Sequence, residues 1–365
     1  MRLIVLGTGA GGGCPQWNCG CENCNFARNN PESARTTDSL AVEYEENGET
    51  SWAIVNPSVD LRHQLARHCE LHPPPNGPVR NSPIKSVILT DGELDHTMGL
   101  INLREGSRLR VYATASVLGL MEKAFPIKAV LKNYAHLEFF TIVPGVPFKL
   151  GDSMTVTAAG LSNRQPRYVG ASKIGAQIEE QSANTNQTAD AVIGLKFESS
   201  QEKLNGKHVE AEGNQVEAEG NQVEPEPKHD TSDAIAYAPQ IGAWDEALLW
   251  LLDGCDTVLV DGTFYTSNEL QALDGNAPDA ETMGHLPLSG AGGILAKLEK
   301  VKARAKFLTH INNSNPILRD NSTERRAVET AGVHIAVDGM SVCSGAPFSL
   351  ATSKSVNSCR NKIRD

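Results

Sequence analysis

The sequence predicts a layered α/β fold, and three observations carry that expectation. Short apolar runs bounded by turn residues recur along the 365-residue chain, the pattern of buried strands. Amphipathic helical patterns fall between some of these runs. Strands dominate the first half whereas strands and helices alternate in the second, an order that suits packed sheets with helices outside.

The first strand, Leu3–Leu6, follows Met1-Arg2 directly and is too short for a signal-peptide core or a membrane span. Further strands are expected at Trp52–Val55, Ser86–Leu89, Leu109–Ala113, Thr155–Ala158, Thr257–Val260, Lys306–Leu308 and Val333–Val337. Helical patterns cover Asp60–His68, Ala115–Phe125, Glu246–Leu252, Gly293–Lys302 and Ser322–Ala331. Two more runs, Ala191–Phe197 and Ala234–Ala238, read as a hairpin with an overgrown tip at 199–233. That tip repeats Val-Glu-Ala-Glu-Gly-Asn-Gln with almost no apolar content, so it cannot bury itself and is expected to be a disordered acidic loop. Residues 1–341 are expected to form one domain, and 342–365 a flexible C-terminal extension.

Composition narrows the class. With 40% hydrophobic and 21% charged residues the chain can build a globular core, and its formal charge of −11 disfavours a nucleic acid partner. Nothing suggests membrane insertion. The eight cysteines show no disulfide-scaffold spacing, which places the chain in a reducing cytoplasm. Three of them crowd into Trp17-Asn-Cys-Gly-Cys-Glu-Asn-Cys24, and Cys19, Cys21 and Cys24 can converge on one structural Zn2+. A tetrahedral site then needs a fourth ligand from a distant segment. The alternative is three buried or reactive thiols.

Chemistry-bearing residues gather where strands end. Ser86-Val-Ile-Leu-Thr-Asp-Gly-Glu-Leu-Asp-His96 packs Asp91, Glu93, Asp95 and His96 into six residues, a charge density that calls for a cation or for solvent. Lys306-Phe-Leu-Thr-His310 repeats the arrangement, and Cys255-Asp-Thr-Val-Leu-Val-Asp261 ends in an aspartate, with His285 following in a glycine-flanked loop. Gly7-Thr-Gly-Ala-Gly-Gly-Gly13 mimics a dinucleotide loop, but its spacing is wrong and cysteines follow where a helix should begin. His63, His68 and His72 read as surface residues.

On these residues the chain resembles the metallo-β-lactamase fold, an αββα sandwich of two mixed sheets with helices outside. The motif His-x-His-x-Asp-His of that fold stands here as Asp91-Gly-Glu93-Leu-Asp95-His96, and its late strand-terminal histidine corresponds to His310. Two further ligands of that fold, a histidine and a bridging aspartate, are missing where Gly160-Leu-Ser-Asn-Arg164 and Tyr237-Ala-Pro-Gln240 stand. The remaining set, Asp95, His96 and His310, has the composition of a two-histidine, one-carboxylate facial triad, which suits iron(II) and also accepts zinc.

The resemblance narrows further through Gly11-Gly-Gly-Cys-Pro-Gln-Trp-Asn-Cys-Gly-Cys-Glu-Asn-Cys24, Leu103-Arg-Glu-Gly106, Val260-Asp-Gly-Thr263, Met283-Gly-His-Leu286, His310-Ile-Asn-Asn-Ser-Asn-Pro-Ile-Leu318 and Val337-Asp-Gly-Met-Ser341. Together these resemble the pyrroloquinoline quinone (PQQ) biosynthesis protein B family. The resemblance implies a role in making PQQ, either by iron-dependent, O2-using hydroxylation of the tyrosine ring of a Glu-Tyr-derived precursor, or as a carrier taking PQQ or its precursor towards the periplasm. A metal-dependent hydrolase is a further alternative. It implies a catalytic Fe2+, with Zn2+ as the other choice, at Asp95, His96 and His310. Asp91 and Glu93 are then proton acceptors or ligand-orienting groups, and His285 an acid/base or a packed loop histidine. Partners would be the PQQ precursor, O2 and other PQQ-pathway proteins, with a homodimer left open. In hydrolases carrying the cysteine cluster the fourth zinc ligand lies three residues beyond the late histidine. Here that residue is Asn313, an amide beside three thiolates.

Overall fold

Runs that are apolar at consecutive positions predict strands buried on both faces, and the computed structural model shows them so. It describes residues 1–75, 77–105, 108–134, 136–169, 189–200 and 232–345; the acidic repeat and most of the 342–365 extension lie outside these. Two seven-stranded mixed sheets face each other. The first contains β1 (Arg2–Gly7), β2 (Ser39–Glu46), β3 (Glu49–Val55), β4 (Ile84–Ile88), β5 (Leu109–Thr114), β6 (Leu137–Ile142) and β14 (Ser341–Cys343), in the order β14-β1-β2-β3-β4-β5-β6. The second contains β7 (Phe148–Leu150), β8 (Met154–Ser162), β9 (Val192–Ser199), β10 (Ser232–Ala238), β11 (Cys255–Asp261), β12 (Ala305–Thr309) and β13 (His334–Ile335), in the order β13-β12-β11-β10-β9-β8-β7. β9 and β10 pair antiparallel as the expected hairpin, whereas β10, β11, β12 and β13 run parallel.

The period of two along each strand distributes the core. Leu3 and Val5 of β1 enter the layer between the sheets with Val42, Tyr44, Leu195, Tyr237 and Phe307. Ile4 and Leu6 point the other way, into a second cluster under the helices of the first sheet. A third cluster lies under Glu246–Leu252 and Ile294–Leu298 on the second sheet. Three helices start on side-chain caps: Thr114, Asp245 and Ser322 each accept the amide N–H three residues on.

This αββα arrangement brings the C-terminal ends of β4, β11 and β12 to one edge. The N-terminal loop is stitched to the same edge, because Ala10 N donates to Ile311 O and Ile311 N donates to Thr8 O. Residue 310 is therefore held between two fixed backbone segments. His310 takes φ 53°, a left-handed conformation uncommon outside glycine though more accessible to asparagine, aspartate and histidine than to other residues, and it turns the chain sharply off β12. Among the described residues no helix is long and apolar enough to cross a membrane.

Candidate metal centre

Each histidine at the sheet edge is fixed through Nδ1, which leaves Nε2 for something else. His96 sits on a short helix, Leu94–Thr97, and its Nδ1 lies 2.8 Å from Asp91 Oδ2. Asp91 is buried and committed: Thr90 Oγ1 and Glu93 N also donate to it. His310 Nδ1 lies 2.9 Å from Thr263 Oγ1. That hydroxyl has one proton, and its 2.6 Å contact to Asp261 Oδ1 takes it, so the imidazole N–H donates to the hydroxyl and Nε2 keeps its lone pair.

Both Nε2 atoms face one carboxylate oxygen. Asp95 Oδ2 lies 3.8 Å from His96 Nε2 and 3.9 Å from His310 Nε2, too far for hydrogen bonds and suited to three ligands around one ion. His96 Nε2 is buried without a hydrogen-bond partner, a cost that a bound cation removes. The trio accordingly fits a first-row divalent metal, with each histidine oriented by an outer group as such ligands require. Asp95 provides the open side, its side chain being 20% exposed against 2% for His96.

Without a metal the charges compensate one another. Burial alone would lower the His96 imidazole, but Asp91 and Asp95 push it up to about 10. Burial would raise Asp95, yet His96 and then His310 hold it well below the usual carboxylate range. Glu93 behaves differently. Burial first, then Asp91 and Asp95, push it up to about 7, and its carboxyl accepts no hydrogen bond among the described residues.

Asp261, the aspartate that ends β11, holds His285. Its Oδ2 lies 2.7 Å from His285 Nδ1 and also accepts Ile241 N, while Oδ1 accepts Thr263 N and Oγ1. All its lone pairs point at donors, so Asp261 orients the imidazole. The ring of His285 stacks on that of His310 at 5.4 Å, and its Nε2 has no hydrogen-bond partner among the described residues.

Three residues escaped the sequence reading. Asp38, buried at the start of β2, accepts hydrogen bonds from Tyr237 Oη and Thr309 Oγ1 and sits in the field of His310 and His96. Thr263 bridges Asp261 and His310, yet in sequence it is one more turn threonine. Asn56, at φ 54°, clamps Thr90 beside Asp91. No local signal marks them, because each acts across two or more strands.

At the cysteine cluster the Sγ atoms of Cys19, Cys21 and Cys24 lie within 4.8 Å of one another. The Asn313 amide caps them, with Nδ2 at 3.2 Å from Cys19, 3.3 Å from Cys24 and 3.7 Å from Cys21. Rotation of the amide would put Oδ1 at the same point over the three sulfurs, the side from which a tetrahedral metal would take its fourth ligand. Burial pushes the Cys24 thiol up to about 12. For Cys21 burial is outweighed by hydrogen bonds from Cys24, Cys19 and Asn313, and the thiol falls below its ordinary value.

This fold and its paired histidine-aspartate clusters define a metal-binding protein of the β-lactamase superfamily, and the Beta-lactamase superfamily domain matches residues 51–205 and 207–311. The Coenzyme PQQ synthesis protein B of Klebsiella pneumoniae (strain 342) is 33% identical over 347 residues, covering 94% of this chain and 98% of that protein. The Cupriavidus necator protein of the same name is 35% identical over 348 residues, covering 93% and 98%. The crystal structure of Zn(2+)-bound PqqB from Methylobacterium extorquens superposes with a TM-score of 0.73 at 26% identity, covering 94% of this chain and 99% of that one. The chain belongs to the coenzyme PQQ synthesis protein B family.

Proposed function

We propose that this protein acts in PQQ biosynthesis as an iron-dependent hydroxylase, using O2 to oxidise the tyrosine ring of a Glu-Tyr-derived precursor. The observation that carries the reading is the convergence of His96 Nε2, His310 Nε2 and Asp95 Oδ2, two imidazoles and one carboxylate with an open side. Iron(II) held there would supply redox chemistry and vacant coordination positions. The family names supply the pathway.

The remaining residues have roles that follow from their partners. Asp91 and Thr263 fix the tautomers of His96 and His310. Glu93, which burial and then Asp91 and Asp95 raise above the usual carboxylate range in the metal-free chain, stands where it can hold or release a proton beside Asp95. His285, with Nδ1 on Asp261, presents Nε2 as a second proton-transfer group. In the net reaction one oxygen atom of O2 enters the ring as a hydroxyl, the other leaves as water, and a reductant supplies two electrons.

The test is anaerobic loading with iron(II), then exposure to O2 with a Glu-Tyr-derived substrate and a reductant, read by mass spectrometry. Ring hydroxylation with O2 consumption is expected. Tight PQQ binding with no O2 uptake is instead the behaviour of a carrier and contradicts the proposal.

Metal affinity should depend on pH with a definite sign. In the metal-free chain His96 is raised from 6.5 to about 10, so its contribution to stability is complete below about pH 6.5 and lost as pH rises through about 10. A metal needs the neutral imidazole, so its affinity rises over the same window. Scanning calorimetry from pH 6.5 to 10 should show the metal-free melting temperature falling while the increment added by metal grows. A constant increment would remove His96 from the ligand set.

A further inference from the structure

Beside the histidines, the wall of this site carries a cation that has no ion pair among the described residues. Arg164 stands two residues past β8, half-buried, and among the described residues its guanidinium makes one hydrogen bond, from Nη2 to Thr282 O at 3.2 Å. Among the described residues no carboxylate oxygen lies within ion-pair distance of it; the charges that reach it are Glu93, which attracts, and Arg167, which repels. A guanidinium offers five donors in a fixed fork, so most of this one is uncommitted.

Facing it is a second uncommitted donor. Gln240 lies two residues past β10 and is only 6% exposed, yet its side-chain amide has no hydrogen-bond partner among the described residues. The two side chains meet over Gly284, whose φ is 87°. A Cβ there would lie 2.7 Å from Arg164 Cδ, 3.1 Å from Arg164 Nε and 2.8 Å from Gln240 Nε2. Only glycine leaves both donors in place. The next residue is His285, stacked on His310, so the pair opens beside the metal trio.

We propose that Arg164 and Gln240 form a carboxylate-binding subsite of this centre, which anchors an acid group of the substrate while the trio faces its reacting part. The guanidinium fork takes the carboxylate through paired N–H donors and Gln240 Nε2 adds another, a geometry a neutral amide ligand cannot reproduce. The surrounding carboxylates Asp91, Glu93 and Asp95 repel an acid, and a fixed cation at the wall offsets that repulsion away from the metal. This deepens the hydroxylase reading and rests on it for the ligand being substrate.

The experiment is calorimetric titration of the metal-loaded full chain, without O2, with the dipeptide Glu-Tyr and with its diamide. Because binding is read without turnover, a failed hydroxylation assay leaves the result unaffected. The dipeptide should bind roughly tenfold to hundredfold more tightly than the diamide, the range for a hydrogen-bonded charged group. Arg164→Gln should erase that preference, Arg164→Lys should restore part of it, and Gln240→Leu should weaken the dipeptide by about threefold to tenfold. Thermal melts confirm that each variant is folded, and Arg164→Lys carries the test should Arg164→Gln unfold. Equal affinity for acid and amide, binding of neither, or a preference that survives Arg164→Gln would overturn the proposal; in the last case the metal itself holds the carboxylate.

Discussion

A His310→Asn chain is expected to lose metal from the Asp95–His96–His310 centre by more than about 100-fold in affinity and to lose turnover, while still folding. Asparagine is the informative replacement. At φ 53° an alanine would add backbone strain to the loss of the ligand, whereas asparagine tolerates that conformation. His96→Ala should abolish metal binding equally, but it leaves Asp91 buried without its imidazole. That penalty is about 3–5 kcal/mol, so a fall in melting temperature would accompany the lost activity. Asp91→Asn probes orientation alone. An asparagine amide that donates to His96 Nδ1 places the ring proton on Nε2, where it blocks the metal, and an affinity loss of about 10–100-fold is expected with all three ligands present. Metal content by plasma spectrometry after dialysis, with melts alongside, separates the three variants.

If Cys19, Cys21 and Cys24 hold a structural zinc as proposed, Cys21→Ser should release it and reduce metal occupancy at a centre that contains no cysteine. The connection is short. Asn313, over the three sulfurs, is three residues from His310, and its carbonyl is held by Asn23 Nδ2 at 2.9 Å. Asn23 also donates to Asn315 O, whose side chain in turn donates to Gly262 O beside Thr263. Loss of a zinc held there would therefore free the segment that sets His310 and the threonine that fixes its tautomer. A stability loss of several kcal/mol is expected, since metal binding to a site formed only on folding is itself folding free energy. Asn313→His should do the reverse, completing a Cys3His set and raising zinc retention against a chelator by at least about tenfold. If Asn313→His leaves zinc retention unchanged, the Asn313 head is not at the fourth apex.

Much of the fold was legible because so many strands are apolar on both faces. β3, β11 and β12 stand out as continuous runs, and the helix Glu246–Leu252 matches its sequence pattern residue for residue. β2 was missed: Leu40, Val42 and Tyr44 face the inter-sheet core, but Glu43, Glu45 and Glu46 mask the run. The helix Glu22–Asn29 was missed as well, because its buried face carries only Asn23, Cys24 and Ala27 while its one large apolar residue, Phe26, is exposed. Asp95, His96 and His310 were singled out through the resemblance, on the Asp91–His96 motif and the histidine that follows β12, and the fold brings the three together. Thr263, Asp38, Arg164 and Gln240 were not read as site residues, since only the folded chain reveals that separate strands deliver them to one edge. The two segments that lack the expected second-metal ligands contribute Arg164 and Gln240 instead.

If this centre inserts an oxygen atom from O2 into an aromatic ring, a single turnover of the iron-loaded protein under heavy-isotope oxygen should give a ring-hydroxylated product carrying one heavy oxygen atom, with none in the His310→Asn variant. A product whose new oxygen comes from ordinary water, or a heavy-oxygen product of equal yield from His310→Asn, would contradict it.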